Sequence, residues 1–305
     1  MRWDQFRRSD NVEDARGEGG FGGGEFRRVS TRGGGLGIGA IIVIGLIGWA
    51  LGIDPSVLIT GAEMMNGGGS RYEQQAPPTR GQTGAPRDQM GDFVAAVLGN
   101  TEDTWTAIFK AGKARYRPPR LLLYSNAVRG GCGFAQAATG PFYCPNDQRI
   151  YLDTSFFRDM RVRFRGCSGK ACEFADAYVI AHEVGHHVQN LLGILPKARQ
   201  AQEASGSRAA ANRIQVRVEL QADCLAGVWA HHSDQRWNTL EPGDVEAALQ
   251  TAAAIGDDRL QRQSQGYVVP DAFTHGASKQ RQRWFTIGLK EGKLSACDTF
   301  ASSSL

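Results

Sequence analysis

One stretch of 21 residues without a charged side chain, residues 33–53, constrains the fold of this chain most strongly. At a rise of about 1.5 Å per residue, a helix of this length spans the roughly 30 Å hydrocarbon core of a bilayer. Its many glycines would weaken a helix in water but are common in membrane helices. The stretch ends at Asp54 and Pro55 without a small-residue cleavage site. It therefore favours an uncleaved transmembrane anchor over a signal peptide or a buried core helix.

The arginines around this stretch predict its orientation. Arg27, Arg28 and Arg32 lie just before it, whereas the 20 residues after it contain only Arg71. The positive-inside rule then places the N-terminus in the cytoplasm and the larger part outside, as a single-pass protein of the inner membrane. The sequence thus predicts four regions: a disordered cytoplasmic segment 1–32, a transmembrane helix 33–53, a Gly- and Pro-rich linker 54–87 and an external domain 88–305.

Composition supports a globular external domain and excludes one class of function. Charged residues make up 22% of the chain and hydrophobic residues 41%, as in ordinary globular proteins. The formal net charge is +4, and 28 basic against 25 acidic side chains lie after residue 53. This excess of three is too small to predict a nucleic-acid partner. The oligomeric state is not predicted.

All six cysteines lie in the predicted external domain, where disulfides form. Proximity along the chain favours the pairs Cys132–Cys144 and Cys167–Cys172, which leaves Cys224–Cys297. A zinc-thiolate site is disfavoured because no C-x-x-C pair exists, and free thiols remain the alternative if the topology is wrong.

The domain is predicted to be α+β, mainly helical with a small sheet. Apolar spacing and flanking residues predict helices over residues 92–111, 173–192, 208–232, 242–254 and 277–291. Pro242 lies in the first turn of its helix and Gly292 ends the last one, as is typical of these residues. Short apolar runs predict strands over residues 119–124, 134–138 and 149–153.

The helix predicted over residues 173–192 carries an H-E-x-x-H motif, with His182, Glu183 and His186. Two histidines at positions i and i+4 project from one helix face, a turn apart, and supply two neighbouring corners of a zinc tetrahedron. Glu183 is rotated about 100° from His182, so it can reach a water molecule at the metal without binding the metal. The alternative is a pair of core histidines with structural hydrogen bonds.

A catalytic zinc site needs a third protein ligand and one open position. The metzincin pattern would require Gly at 189 and His at 192, but the chain has Gln189 and Leu192. Downstream, Glu219 and Asp223 are also four residues apart on a predicted helix. We expect Glu219 to be the third ligand and Asp223 to accept a hydrogen bond from a ligating imidazole. The alternative is an exposed acidic helix face.

These motifs resemble a known family, the neutral zinc metallopeptidases of bacteria. The resemblance runs over nearly the whole chain and includes the glycine-rich N-terminus, the apolar stretch and two short segments, residues 1–3 and 142–145. The helix pair is also similar to that of gluzincin peptidases. The resemblance implies a zincin-like metalloprotease domain that binds zinc through His182, His186 and Glu219. It also implies that Glu183 is the general base and that a substrate strand pairs with a sheet edge near the active-site helix.

The expected activity is hydrolysis of peptide bonds in a peptide or protein substrate by a membrane-anchored zinc peptidase. Zinc would lower the pKa of a water molecule to about 7, and Glu183 would take its proton. His275 is the first candidate for a second catalytic group that stabilises the oxyanion, with Tyr143 and Tyr151 as others. Two alternatives remain: a membrane-anchored binding or scaffold protein that keeps zinc for stability, and a zinc hydrolase of cell-wall bonds.

Overall fold

The computed structural model describes residues 1–16, 82–83, 86, 88–136, 140–162 and 167–305, with backbone only for residues 82–83 and 134–136. The predicted transmembrane helix 33–53 and almost all of the predicted linker 54–87 lie outside these residues. Within the described ranges, the structure contains no helix with the length and apolar character needed to cross a membrane.

Eight α-helices make up most of the described structure. Asp88 and Ser207 cap the helices that begin at Gln89 and Arg208, because each side chain accepts a hydrogen bond from a backbone N–H in the first turn. Three short 3-10 helices, Gly169–Ala171, Pro270–Ala272 and Leu294–Cys297, connect or follow them. The α-helices are α1 Gln89–Ala111, α2 Ser155–Val162, α3 Cys172–Leu191, α4 Ile194–Glu203, α5 Arg208–Trp237, α6 Asp244–Ala254, α7 Asp257–Gln265 and α8 Ser278–Glu291.

A mixed five-stranded sheet and a separate hairpin complete the fold. The strands are β1 Val12–Asp14, β2 Gln82–Thr83, β3 Arg120–Tyr124, β4 Ala127–Gly130, β5 Gly133–Gln136, β6 Phe142–Cys144 and β7 Arg149–Asp153. The sheet has the order β2-β1-β3-β7-β6, and β6 at one edge runs antiparallel to β7. The prediction of a mainly helical domain with a small sheet is confirmed. The strand predicted over residues 134–138 is β5, which pairs with β4 in the hairpin instead of joining the sheet.

The prediction that residues 1–32 are disordered is wrong for residues 1–16. Strand β1 pairs parallel to β3 and places Val12 opposite Leu121 in the core. Nearer the N-terminus, Trp3 packs edge-on against Phe93 with ring centroids 5.3 Å apart. The many charged residues of this segment favour disorder when the sequence is considered alone, but in the structure they are paired with distant partners. Arg8, for example, binds Asp92 with Nη2–Oδ2 at 2.7 Å.

This packing also conflicts with the predicted single-pass topology. Residues 1–16 and the described part of residues 88–305 belong to one compact unit and share a sheet. A chain that crossed a membrane once between them, at residues 33–53, would place these two parts on opposite sides. With this fold, both parts lie on the same side of any membrane.

Helix α3 is the centre of the helical layer and is buried along nearly its whole length. It packs against α5, and Gly185 of α3 permits their close approach. A Cβ atom at Gly185 would lie 3.0 Å from the Ala222 carbonyl oxygen of α5. The missing side chain therefore makes room for the neighbouring helix, which brings the acidic residues of α5 beside the histidines of α3.

The described cysteines form three disulfides. They are Cys132–Cys144, Cys167–Cys172 and Cys224–Cys297, the three predicted pairs, and no cysteine of the described residues is free. The third pair spans 73 residues and connects α5 to the 3-10 helix Leu294–Cys297. Disulfides of this kind are typical of proteins in oxidising compartments.

Candidate metal centre

The two histidines of the H-E-x-x-H motif face one carboxylate of the neighbouring helix. His182 Nε2 lies 3.2 Å from Glu219 Oε2, and His186 Nε2 lies 3.5 Å from the same oxygen. The three potential ligand atoms all lie within 4.8 Å of one another. All three side chains are largely buried.

This donor set fits zinc in both chemistry and spacing. Two imidazole nitrogens and one carboxylate oxygen form a typical catalytic zinc site with one open position. Bonds of about 2.0–2.1 Å in a tetrahedron place neighbouring ligand atoms about 3.3 Å apart. The two separations from Glu219 Oε2, 3.2 and 3.5 Å, agree with this value, and all three ligand atoms lie within 4.8 Å of one another. His182, His186 and Glu219 therefore could hold a zinc ion.

The orientation of His182 is set by Asp223, as expected. His182 Nδ1 lies 2.8 Å from Asp223 Oδ1, so the hydrogen on Nδ1 leaves the Nε2 lone pair for a metal. Arg281 donates to both oxygens of the Asp223 carboxylate at 2.8 Å, and Tyr178 Oη donates to Oδ1 at 2.6 Å. The helix face with Glu219 and Asp223 is thus buried, not exposed.

Electrostatics in this cluster follow from burial and from the close charges. Burial raises the pKa of Asp223, but the charges of Arg281 and His182 outweigh it and lower the pKa to about 2. Burial lowers the pKa of His182, but Asp223 outweighs this effect and raises it to about 10. A metal ion therefore has to displace a proton from this imidazole.

Glu183 lies beside the three potential ligands in the same cavity and is buried. Burial raises the pKa of its carboxyl group, and the charges of His182 and His186 partly oppose the rise. A carboxylate with a raised pKa accepts a proton more readily than an exposed one, which suits a general base.

The cavity around these groups has a volume of about 840 Å³ and lies between helices α3, α4, α5 and α7 and the sheet edge. Gly140, Pro141 and residues of β6 line one side of it. Apolar side chains such as Leu195, Val218 and Leu260 also contribute to the wall. The cavity therefore combines an apolar lining with a small number of convergent polar groups, as ligand sites do.

His275 lines this cavity, and Asp257 orients it. Asp257 Oδ1 lies 3.2 Å from His275 Nδ1, while Oδ2 accepts the backbone N–H groups of residues 274, 275 and 276. The bond from Asp257 raises the pKa of His275, although burial opposes it. The pairing leaves the other ring nitrogen of His275 available for a ligand in the cavity.

Tyr143 lines the cavity, but its hydroxyl group is already engaged. His187 Nε2 donates to the Arg117 carbonyl oxygen at 2.7 Å, so Nδ1 accepts from Tyr143 Oη at 3.0 Å. Asn190 donates to the same hydroxyl oxygen at 2.9 Å. This network attaches β6 to α3 and leaves the Tyr143 hydroxyl without a free hydrogen for an oxyanion.

The remaining candidates from the sequence lie elsewhere. Tyr151 is buried, donates its hydroxyl to Asp147 and does not line the cavity. His231 and His232, which lie outside the H-E-x-x-H motif, bind backbone carbonyls of Leu289 and Gly292.

Several polar residues of the centre were missed by sequence reasoning. Arg281 and Tyr178 bind Asp223, Asp257 orients His275, and Gln189 accepts a hydrogen bond from His186 Nδ1 at 2.9 Å. Gln189 was noted only as a mismatch to the metzincin pattern. Its position three residues after His186, on the same helix face, is the one signal that could have identified it.

Comparison with known proteins agrees with this site. The family model described as "Putative neutral zinc metallopeptidase" matches residues 1–300. "Uncharacterized protein YpfJ" of Escherichia coli (strain K12) is 46% identical over 306 residues, which cover 99% of this chain and 100% of that protein. "Uncharacterized protein Rv2575" of Mycobacterium tuberculosis (strain ATCC 25618 / H37Rv) is 44% identical over 234 residues, covering 73% of this chain and 75% of that protein.

No solved structure matches the chain. The family assignment therefore depends on the sequence match, which covers nearly the whole chain and includes the residues of the metal centre. The chain belongs to the family described as "Putative neutral zinc metallopeptidase".

Proposed function

We propose that this protein is a zinc-dependent peptidase that hydrolyses peptide bonds with Glu183 as general base. One observation carries the proposal: two imidazole Nε2 atoms and one carboxylate converge next to buried Glu183 in an open cavity. His182, His186 and Glu219 would hold the metal. A zinc ion at this position supplies a Lewis acid that acidifies water and polarises a carbonyl group.

The side chains of the cavity supply proton transfer. Glu183 accepts the proton of the attacking water and delivers it to the leaving amine. Burial keeps its pKa above that of an exposed glutamate, although the charges of His182 and His186 partly oppose the rise, and the raised pKa supports both steps. Asp223 keeps His182 oriented throughout, because Arg281 and Tyr178 hold the carboxylate in place by hydrogen bonds.

His275 is the proposed donor to the oxyanion that develops on the substrate carbonyl. It lines the cavity and its pKa is raised, so the ring is predisposed to carry the hydrogen that such a bond requires. Asp257 limits its rotation through Nδ1. Tyr143 is the weaker candidate, since its hydroxyl hydrogen is directed to His187.

The position of β6 favours an extended peptide as substrate. This strand is the last in its sheet, and residues 140–143, 145 and 146 line the cavity on that side. A strand at a sheet edge presents backbone groups that can pair with an extended chain. The same edge gives no comparable recognition of a carbohydrate, so this observation favours peptide over cell-wall glycan bonds.

We also propose that the domain acts outside the cytoplasm, at the membrane. Three disulfides support an oxidising compartment. Membrane attachment is proposed from the uncharged residues 33–53 alone. Since residues 1–16 belong to the domain, we place them in the same compartment as residues 88–305.

The proposal is tested by peptide cleavage with the purified full chain, in zinc-supplemented buffer and after removal of zinc by a chelator. We expect cleavage of a fluorogenic peptide library that requires zinc. Glu183→Gln should reduce turnover by at least about 100-fold, because it removes a general base. Glu246→Gln, an exposed glutamate on α6, is the matched control and should retain wild-type activity.

Two outcomes would favour the other functions. Wild-type protein that binds zinc and cleaves no peptide, but releases fragments from purified cell wall, would identify a cell-wall hydrolase. If zinc raises the melting temperature of the protein but neither peptide nor cell wall is hydrolysed, the protein is a binding or scaffold protein. Either result would reject the peptidase.

A further inference from the structure

The side chain that orients His186 is the first of two buried amides in a hydrogen-bonded relay. His186 Nδ1 lies 2.9 Å from Gln189 Oε1. Gln189 Nε2 donates to the Val218 carbonyl oxygen at 2.8 Å and to Gln221 Oε1 at 3.0 Å. Gln221 Nε2 in turn donates to the Cys297 carbonyl oxygen at 2.8 Å. Gln189 is 0% exposed and Gln221 6%, so water does not compete for these bonds.

Two backbone carbonyls determine the direction of every bond in this relay. A carbonyl oxygen can only accept, so Cys297 requires the NH₂ group of Gln221 and turns its Oε1 towards Gln189. The carbonyl of Val218 and this Oε1 both require the NH₂ group of Gln189. Gln189 Oε1 is then left facing His186 Nδ1, which must donate.

We propose that Gln189 and Gln221 are positioning residues for the metal centre, and that the Cys224–Cys297 disulfide holds the far end of their relay. Through this relay, the fold fixes the His186 tautomer with hydrogen on Nδ1 and a lone pair on Nε2. This inference depends on the proposed zinc site, because its consequence is metal affinity. It assigns a role in the metal centre to this disulfide, whose two cysteines lie 73 residues apart in the sequence.

The neutral character of the relay fits the charge of the centre. Glu183, Glu219 and Asp223 already place three carboxyl groups in a buried site, and Arg281 binds one of them. A carboxylate at position 189 would add a further negative charge to this buried site, beside His186. An amide supplies the same acceptor atom without that charge, which explains why a glutamine orients His186 while an aspartate with an arginine partner orients His182.

The disulfide is placed to hold the relay rigid. Cys224 directly follows Asp223 on α5, and Cys297 ends the 3-10 helix near the end of the chain. The Cα atoms of Cys224 and Cys297 lie 5.5 Å apart, and those of the other two disulfides lie 5.7 Å or less apart. Reduction would release the Cys297 carbonyl from α5, and the amide of Gln221 would lose the acceptor that directs it.

The experiment compares three relay variants with one control in the purified full chain. Gln189→Met and Gln221→Met keep the side-chain length and remove the hydrogen bonds. Gln189→Glu keeps the acceptor for His186 and removes the donor to Val218. Gln282→Met is the control, since half-buried Gln282 of α8 also donates to one backbone carbonyl, that of Leu249 on α6 at 3.0 Å.

The readouts are the zinc dissociation constant, measured against a chromophoric chelator, the visible spectrum of the Co²⁺-loaded protein and the melting temperature of the metal-free protein. We expect Gln189→Met to weaken zinc binding about 10–100-fold and to shift the Co²⁺ spectrum. Gln221→Met should act in the same direction with a smaller effect. Gln189→Glu should bind zinc more tightly than Gln189→Met although it is less stable, which a purely structural role would not produce.

The disulfide is tested by a double-mutant cycle. Cys224→Ala with Cys297→Ala should weaken zinc binding, and adding Gln221→Met should then cause less further loss than it does alone. If the losses of zinc affinity are fully additive, the disulfide does not act through the relay. Relay variants that are folded and bind zinc as tightly as Gln282→Met would overturn the whole inference.

The outcomes for this inference and for the proposed function are separable. Zinc binding that depends on Gln189 in a protein that cleaves no peptide would reject the peptidase and retain the relay. A zinc-dependent peptidase indifferent to Gln189 would reject the relay alone. Wild-type protein without zinc affinity would reject both.

Discussion

At the scale of single residues, the centre depends on a buried ion pair that is remote from the motif. Asp223 and Arg281 are 0% and 2% exposed and lie 58 residues apart in sequence. Burying either charge alone is costly, whereas two hydrogen bonds between them satisfy both groups. The pair therefore keeps a full negative charge behind His182 without leaving it unpaired.

Arg281→Met should destabilise the protein and weaken metal binding together, because it leaves the Asp223 carboxylate buried without its cation. Loss of one partner of a buried pair typically costs about 3–5 kcal/mol. Denaturant unfolding of the metal-free protein measures this cost. Arg283→Met, an exposed position two residues later, is the control. An Arg281→Met protein as stable as this control would show that Asp223 does not need its partner.

A second buried carboxylate, Asp176 on α3, gives a pH-dependent contribution to stability. Burial raises its pKa from 3.8 to about 8, although Arg161 on α2 binds its Oδ2 and opposes the rise. Its Oδ1 is buried without a hydrogen-bond partner. The folded protein therefore holds a proton at Asp176 that the unfolded chain releases above about pH 4.

Because this folded pKa is raised, the stability contribution is complete below about pH 4 and is lost as pH rises to about 8. Each pH unit in that window costs up to about 1.4 kcal/mol. Asp176→Asn should thus gain stability relative to wild type between pH 5 and pH 8, as measured by denaturant unfolding. The exposed Asp10→Asn is the control. A constant difference between Asp176→Asn and wild type over this range would disprove the raised pKa.

At the scale of elements, three helices that pack through small residues assemble the centre. Gly185 lets α3 approach α5, and Gly227 and Gly288 let α5 and α8 approach each other. A Cβ atom at Gly288 would lie 1.9 Å from the Cys224 carbonyl oxygen, closer than any contact can be. The crossing of α5 and α8 brings Arg281 beside Asp223.

Gly288→Ala should therefore push α8 away from α5 and destabilise the protein by about 1–3 kcal/mol. Zinc affinity should fall as well, since the shift moves Arg281. Gly206→Ala is the control, because no atom lies within 4 Å of a Cβ atom placed there. Denaturant unfolding and a chelator competition compare the two variants. A Gly288→Ala protein with wild-type stability would show that the crossing tolerates a side chain.

The sequence predicted the elements that carry a strong local signal. The prediction of a helix over residues 173–192 matches Cys172–Leu191, and the strand over residues 119–124 matches Arg120–Tyr124. Apolar periodicity is a local property, so it identifies such segments. The short helices Ser155–Val162, Ile194–Glu203 and Asp257–Gln265 were missed, because each has only 8 to 10 residues and polar residues dominate it.

The candidate ligands and Asp223 could be predicted, because His182 with His186 and Glu219 with Asp223 form two i, i+4 pairs on single helices. The other residues that orient the centre could not. Arg281 and Cys297 come from segments whose position is decided by helix packing and by a disulfide, and no local spacing connects them to His182 or His186. Local sequence patterns thus predict the candidate metal ligands, whereas the residues that surround them become visible only in the folded structure.

At the scale of the whole molecule, the first 16 residues are part of the domain. Composition suggested disorder, since only Met1, Trp3, Phe6 and Val12 provide apolar anchors among many charges. Those charges are paired across long sequence distances, as with Glu13, whose Oε1 and Oε2 lie near Arg120 and Arg149. Pairing of this kind cannot be seen in the local sequence.

The two ends of the chain should therefore report the same compartment. Reporter proteins that are active only outside the cytoplasm should be active when fused after Leu305 and when inserted after Asp10, an exposed position. Cytoplasmic reporters at the same positions should be silent. Opposite compartments for the two positions would contradict the shared sheet of β1 and β3 and restore the single-pass topology.

The zinc content of three purified variants tests the central claim most directly. Glu219→Ala removes a ligand and should lose nearly all zinc, whereas Asp223→Ala removes an orienting group and should lose about 10–100-fold in affinity. Glu183→Gln should retain zinc, because it removes a base. We predict the order wild type and Glu183→Gln, then Asp223→Ala, then Glu219→Ala, by metal analysis after dialysis. Full zinc in a folded Glu219→Ala protein would contradict the account, since the third ligand would then lie elsewhere.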